Sequence, residues 1–258
     1  MAEKNTSEPT SPYIVPALER GLNILEILSE HPGGLMMNEM KELNLPSASL
    51  YRMLVTLSER GYIVKDSSDR YRLGRKLLSL GYKALDNSNL IETSAAFQRE
   101  LRNAVNETVA LGVICNAEGV VIDTVRSEQA VCVYVQIGHH FPLHTAAPAK
   151  AVLAFLPAAE QAQLLDKIVF TKFTSRTITD KTKFLNELKK IKNSGVAFDI
   201  GEEISDLRCV AAPIFDSRSY PAAAIWVTGP ESRLNGKKLQ EISKKVKETA
   251  DKISKYII

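Results

Sequence analysis

The stretch from Pro46 to Leu73, PSASLYRMLVTLSERGYIVKDSSDRYRL, constrains the fold of this chain more than any other. Leu50, Met53, Leu54 and Leu57 recur at helical spacing, which gives a helix with one apolar face. Pro46-Ser47 is a helix-start signal, with the Ser47 or Ser49 hydroxyl expected to accept from first-turn N–H groups. Gly61, one residue past Arg60, ends the helix. Two short runs, Tyr62–Lys65 and Arg70–Leu73, flank Ser67-Ser68-Asp69 in a hairpin pattern. Upstream, Met37–Leu43 reads as a short amphipathic helix broken by Asn44-Leu45-Pro46. Two short helices, a tight turn and a basic hairpin make a winged helix-turn-helix, whose second helix enters a major groove by its N-terminal end.

The side chains not needed for packing point the same way. Ser47, Ser49, Tyr51 and Arg52 start the second helix away from the leucines, and Lys65, Arg70 and Arg72 dot the hairpin. The net charge of +3 is too small to announce a nucleic-acid binder, but its distribution is uneven. Met1–Leu45 holds three basic and seven acidic residues, whereas Pro46–Lys76 holds seven basic and three acidic. The local excess is what phosphate contact needs.

At 258 residues and 45% apolar composition the chain can build two cores. Three cysteines without paired spacing suggest reduced thiols, and neither an export leader nor a long uncharged run is seen, so a cytoplasmic location without a membrane partner is expected. Residues 1–13 read as a disordered arm, 14–73 as the winged helix-turn-helix, 74–88 as a linker helix and 89–258 as a second domain. The first helix, about Ala17 to Glu30, carries more apolar surface than one small domain needs, which suggests a dimer contact. In the second domain Val109–Cys115, Gly119–Val125 and Ala130–Ile137 read as strands, with Gly119 placed for a positive φ in the first connection. A small-residue loop over Phe141–Ala151 leads into a helix, and helices are expected at about Pro157–Ile168 and Asp180–Asn193. Strands return at Val196–Asp199, Arg208–Phe215 and Pro221–Thr228, before a last helix at about Leu234–Ile257 whose seven lysines read as a solvated face. The sum is an α+β chain with a mixed sheet flanked by helices.

In order and spacing, VPALERGLNILEIL, ERGYI with YRLG, FPLHTAAPAKAVLA, GVAFDIGEE, RCVAAPIFD and the final TGP resemble the IclR family of bacterial transcriptional regulators from Val15 onward. The resemblance implies an N-terminal winged helix-turn-helix, a linker helix and a C-terminal effector-binding domain of GAF-like mixed α/β topology. It also implies dimers, often paired into tetramers, on palindromic double-stranded DNA operators near genes of carbon or aromatic catabolism, with repression the commoner mode. The implied effector is a small organic acid. By motif position its site is Ala147, Pro148 and Ala149 in the loop, Asp199, Cys209, and Trp226 with Thr228; no cofactor is implied. N–H groups at a helix start favour an anion, and polar groups orient a small ligand in an apolar pocket.

The sequence departs from the family pattern in three places. Pro148 lacks an N–H, Ala149 stands where glycine is usual, and Trp226 stands where a small polar residue is common. Trp226 lies on the same strand face as Thr228, either filling a small cavity or offering a flat wall. Asp199 is a carboxylate where an acid is expected, so it is protonated, accepts from a ligand hydroxyl, or ties down the loop at Glu202-Glu203. Two rival readings are a Cys209 nucleophile assisted by His144 and Asp199, and a metal sensor built from His139, His140, His144 and Cys132 or Cys209. The first lacks a nucleophile elbow and the second lacks paired ligand spacing.

Overall fold

The computed structural model describes residues 13–84, 90–115 and 117–257, in two units, Met1–Asp86 and Asn87–Ile258. The expected arm over residues 1–12, the Ser/Asn break at 86–89 and Asn116 lie outside the described residues.

In the first unit, α1 (Pro16–Glu30) is followed by two 3-10 turns, Met37–Glu39 and Lys41–Leu43, then α2 (Ser47–Glu59), β1 (Ile63–Lys65), β2 (Tyr71–Leu73) and α3 (Lys76–Ala84). Ile24 and Leu28 of α1, Met40, Leu50 and Leu54 of α2, Ile63 and Tyr71 form one buried core. Helical spacing thus delivers the leucines inward and leaves Tyr51 and Arg52 outside. The expected single helix over Met37–Leu43 is instead two 3-10 turns around Met40, closed by Asn44 in the left-handed region (φ 47°). The serine cap is also absent. Pro46 is the N-cap and no side chain caps α2; the Pro46 carbonyl accepts from the N–H groups of Ser49 and Leu50. Gly61 (φ 75°) lets the chain leave α2 directly into β1, which pairs antiparallel with β2.

The second unit opens with α4 (Leu90–Val105), β3 (Thr108–Cys115) and β4 (Glu118–Val125). It continues through β5 (His140–Phe141), α5 (Ala147–Leu153), α6 (Ala158–Lys167) and α7 (Lys181–Ser194), the last capped by Asp180, which accepts from Lys183 N–H at 2.7 Å. It closes with β6 (Ala197–Asp199), β7 (Leu207–Phe215), β8 (Pro221–Pro230) and α8 (Gly236–Ser254). The six strands lie in the order β5-β4-β3-β8-β7-β6. Every recorded pairing is antiparallel, so the sheet is not mixed as expected. Strand alternation divides the core in two. Val109, Leu111, Val210, Ile225 and Val227 face α4 and α8, while Ala110, Ala211, Ala224 and Trp226 face α5 and α7. Leu239, Ile242, Val246 and Ile253 anchor α8. Its lysines lie outside this buried stripe, and Lys247 donates to Ser194 O at 2.8 Å.

Two further expectations are corrected. Residues 130–137 form no strand; the run is held to β3 by Thr108 Oγ1 donating to Val133 O at 2.8 Å. Gly119 is not a positive-φ turn residue but a member of β4, paired with Ile114 and Phe141. A side chain there would run into the Phe141 ring, so the glycine makes room for an aromatic rather than for a turn.

Candidate functional site

Two places gather the chemistry-bearing residues. The first is the exposed surface of α2 and the hairpin. Ser47 and Tyr51, four residues apart, line one concavity with Lys65, Lys41 and Asp69. Ser49 and Arg52, on the adjoining strip of α2, line a second groove with Leu18 and Leu22 of α1 and Tyr62. Ser47, Tyr51 and Arg52 are exposed and Ser49 is half-buried.

The hairpin cations are arranged differently from the sequence reading. Lys65 pairs with Asp69 at 2.7 Å and Arg72 with Asp66 at 3.0 Å, so the turn carboxylates offset much of the local positive charge. Arg70 points inward: its Nη1 donates to Gly34 O at 2.8 Å and pairs with Glu39 at 3.1 Å. It thereby tethers the hairpin to the first 3-10 turn, and is engaged in structure rather than presented to a ligand. Asp66 also accepts from the N–H groups of Ser68 and Arg70, and these bonds hold its carboxyl below the usual range.

The second place is a cavity of about 290 Å³ in the second unit, walled by Val121 of β4, the 133–139 run, Phe141, the start of α5, the Asp199–Leu207 segment, and Cys209, Trp226 and Thr228 of β7 and β8. The sequence-singled residues Ala147, Pro148, Asp199, Cys209, Trp226 and Thr228 all line it. Ala149 does not; it is buried in the core, about 200° around the helix from Ala147. Pro148 falls at the second position of α5, where its missing N–H breaks no intrahelical bond.

Trp226 does not close the cavity. Its cross-strand neighbours are Ala110 and Ala211, and Gly112 lies against the indole, so the ring lies down on a floor of small residues. Phe141 meets it edge-on, centroids 5.6 Å apart, in the space Gly119 leaves. These two rings are the aromatic wall.

The same cavity has an acidic corner. Asp199 is 3% exposed and its Oδ1 accepts from Glu202 N–H at 2.7 Å, so it ties down the acidic loop and faces the cavity at once. Burial pushes its carboxyl up, against the opposing pull of that N–H and of Lys150. Glu203 accepts from Thr145 Oγ1 at 3.3 Å and also lines the cavity. Behind them, Lys150, fully buried, pairs with Glu202, whose carboxyl burial raises to about 7 although Lys150 opposes the rise. Cys209 Sγ donates to Thr228 Oγ1 at 3.3 Å. Burial, and next the charge of Asp199, push its thiol up, opposite to what a nucleophile requires.

His144 Nε2 bonds Thr171 O at 2.9 Å and its ring packs beside Phe170 and Phe173, so it serves no thiol. His140 pairs with Glu118, and among the described residues no group of three or more His, Cys, Asp or Glu side chains could hold a metal ion. Sequence reasoning missed Tyr134, His139, Phe141 and Glu203 as cavity residues. The available signal was the apolar run at 130–137 with no strand partner, and Gly119 beside a bulky ring.

Comparison with known proteins agrees across the chain. Residues 17–67 match the IclR helix-turn-helix domain and residues 82–255 match the C-terminal domain of bacterial transcriptional regulator IclR. The HTH-type transcriptional regulator KdgR of Escherichia coli is 30% identical over 97% of this chain and 95% of its own length. The transcriptional repressor IclR of the same organism is 28% identical, covering 93% and 89%. The crystal structure of the Thermotoga maritima IclR superposes with a TM-score of 0.72 at 30% identity, covering 93% of this chain and 98% of that one. Among the described residues no helix is long and apolar enough to cross a membrane.

Proposed function

Because the chain belongs to the IclR family of DNA-binding transcriptional regulators, we propose that a small molecule held in the 290 Å³ cavity sets its affinity for a specific operator. The observation that carries this is the cavity itself: lined by side chains from five strands and the first turn of α5, mostly apolar, with a few convergent polar groups. The family resemblance points to an organic acid; the cavity supports a ligand of that size.

Ser47, Ser49, Tyr51 and Arg52 read base edges and adjacent phosphates, and Lys65 and Arg72 meet the backbone once their carboxylate partners release them. Arg70 holds the wing in place. Exposed Leu18 and Leu22 on α1 supply a two-fold contact, which matches a palindromic operator. Repression is the proposed mode, as in the E. coli protein named a repressor. The ligand changes operator affinity only if it binds two arrangements of the protein unequally.

The test starts from duplexes selected out of a random pool on the full-length protein. Arg52→Ala is expected to cost about 1–3 kcal/mol on the selected duplex while sparing random DNA. Equal weakening on every sequence would assign Arg52 to phosphate, and selection of no preferred sequence would defeat the operator reading.

A further inference from the structure

The cavity carries a charge pattern that the expected acid does not match. Asp199 and Glu203 both line it, yet among the described residues neither forms an ion pair with a lysine or arginine. The nearby cations are committed elsewhere. Lys150 is taken by Glu202. Arg208 pairs with Glu231 and donates to the carbonyls of Ser205 and Leu207, and Arg176 donates to those of Ile200 and Ser205. Among the described residues no lysine or arginine lines the cavity, and the one histidine that does, His139, is exposed. Pro148 has removed one N–H that could have met an anion.

Asp199 is thus a carboxylate 97% shielded from solvent, facing an apolar space, with backbone N–H groups but, among the described residues, no ion-pair partner of its own, the nearby Lys150 being paired with Glu202. Such a group is stabilised by a charge brought from outside. On the same sheet face, Trp226, with Phe141 packed edge-on against it, lines the cavity with ring surface that can attract an ammonium and pack an apolar stem.

We propose that the ligand of this cavity is a small organic cation, its ammonium group against Asp199 and Glu203 and its apolar body on Trp226 and Phe141. The inference rests on the cavity's being the effector site, and names the class of effector.

Size-matched pairs of opposite charge test it: butylamine against butyrate, and 2-phenylethylamine against phenylacetate. Each is titrated into full-length protein, followed by the fluorescence of Trp226, the sole tryptophan, and by calorimetry. The amine of at least one pair is expected to bind about tenfold or more tighter than its acid. Asp199→Asn, which keeps an oxygen for Glu202 N–H, should remove about tenfold of amine affinity with an unchanged circular dichroism spectrum. Glu203→Gln, less buried, should give a smaller loss, and stands in if Asp199→Asn does not fold. Tighter binding of the acids, or amine binding indifferent to both variants, overturns the proposal. If the acids bind and release operator DNA, the small-molecule regulator stands and only the cation falls. If neither class perturbs Trp226, the cation is overturned and the regulator reading is left to its own operator titration.

Discussion

At the scale of single residues, two arginines of the reading head have opposite duties. Arg52 is exposed and supports no packing, so Arg52→Ala should lower specific operator affinity without lowering the melting temperature. Arg70 ties the wing to Gly34 and Glu39, so Arg70→Ala should lower the melting temperature first, and DNA binding only through it. Differential scanning calorimetry beside operator titration separates them. Lys150 poses a sharper case. Lys150→Met strands the buried Glu202 carboxylate and should cost about 3–5 kcal/mol, whereas adding Glu202→Gln should recover much of that loss in urea unfolding. The pH dependence follows from the same corner. Glu202 titrates near 7 in the folded protein against an ordinary 4.5, so its contribution is fully present below 4.5 and is lost as pH rises through 7. Asp199, also raised by burial, acts in the same direction. Urea midpoints should therefore fall across that window from these groups, and the double variant should flatten the slope; an unchanged slope would remove Glu202 as its source.

At the scale of elements, small residues place large ones. Gly119→Ala on β4 drives a methyl into the Phe141 ring, and the ring is packed on Trp226. The expected cost is about 1–3 kcal/mol of stability with a shifted Trp226 emission, measured by urea unfolding. Much of this architecture was legible from residue order. Leu50 and Leu54 at helical spacing, Asp180 as a cap, and the alternation of Val109, Ala110 and Leu111 each name an element and the side it buries. What was not legible depends on partners distant in sequence. Residues 130–137 have strand composition, but form no strand, and Val133, Tyr134 and Val135 line a cavity instead. Arg70 looks like a phosphate contact until Glu39, far upstream, is brought beside it. The pocket was foreseen where short motifs carry it, at Ala147, Pro148, Asp199, Cys209, Trp226 and Thr228. It was missed at Tyr134, which lies outside every motif, and at Phe141 and Glu203, which stand at the ends of two motifs, and overextended at Ala149, which the helix turns into the core.

At the scale of the whole molecule, the proposed regulator needs two reading heads and a reason for them to respond. Leu18 and Leu22 remain exposed on α1 although the core beneath is complete with Ile24 and Leu28. Replacing both with glutamate should weaken self-association in sedimentation and reduce binding to a two-half-site operator far more than to a single half-site. Unchanged association would move the two-fold contact elsewhere. The claim that the cavity governs DNA binding is tested most directly by one titration. A cavity ligand is added to the protein on its selected operator, with Trp226 emission and DNA occupancy read in the same sample. Both signals should move with the same midpoint, and operator affinity should change by roughly 5–150-fold, the range of ordinary coupling between sites. A ligand that saturates the Trp226 signal while operator affinity stays constant would contradict the account.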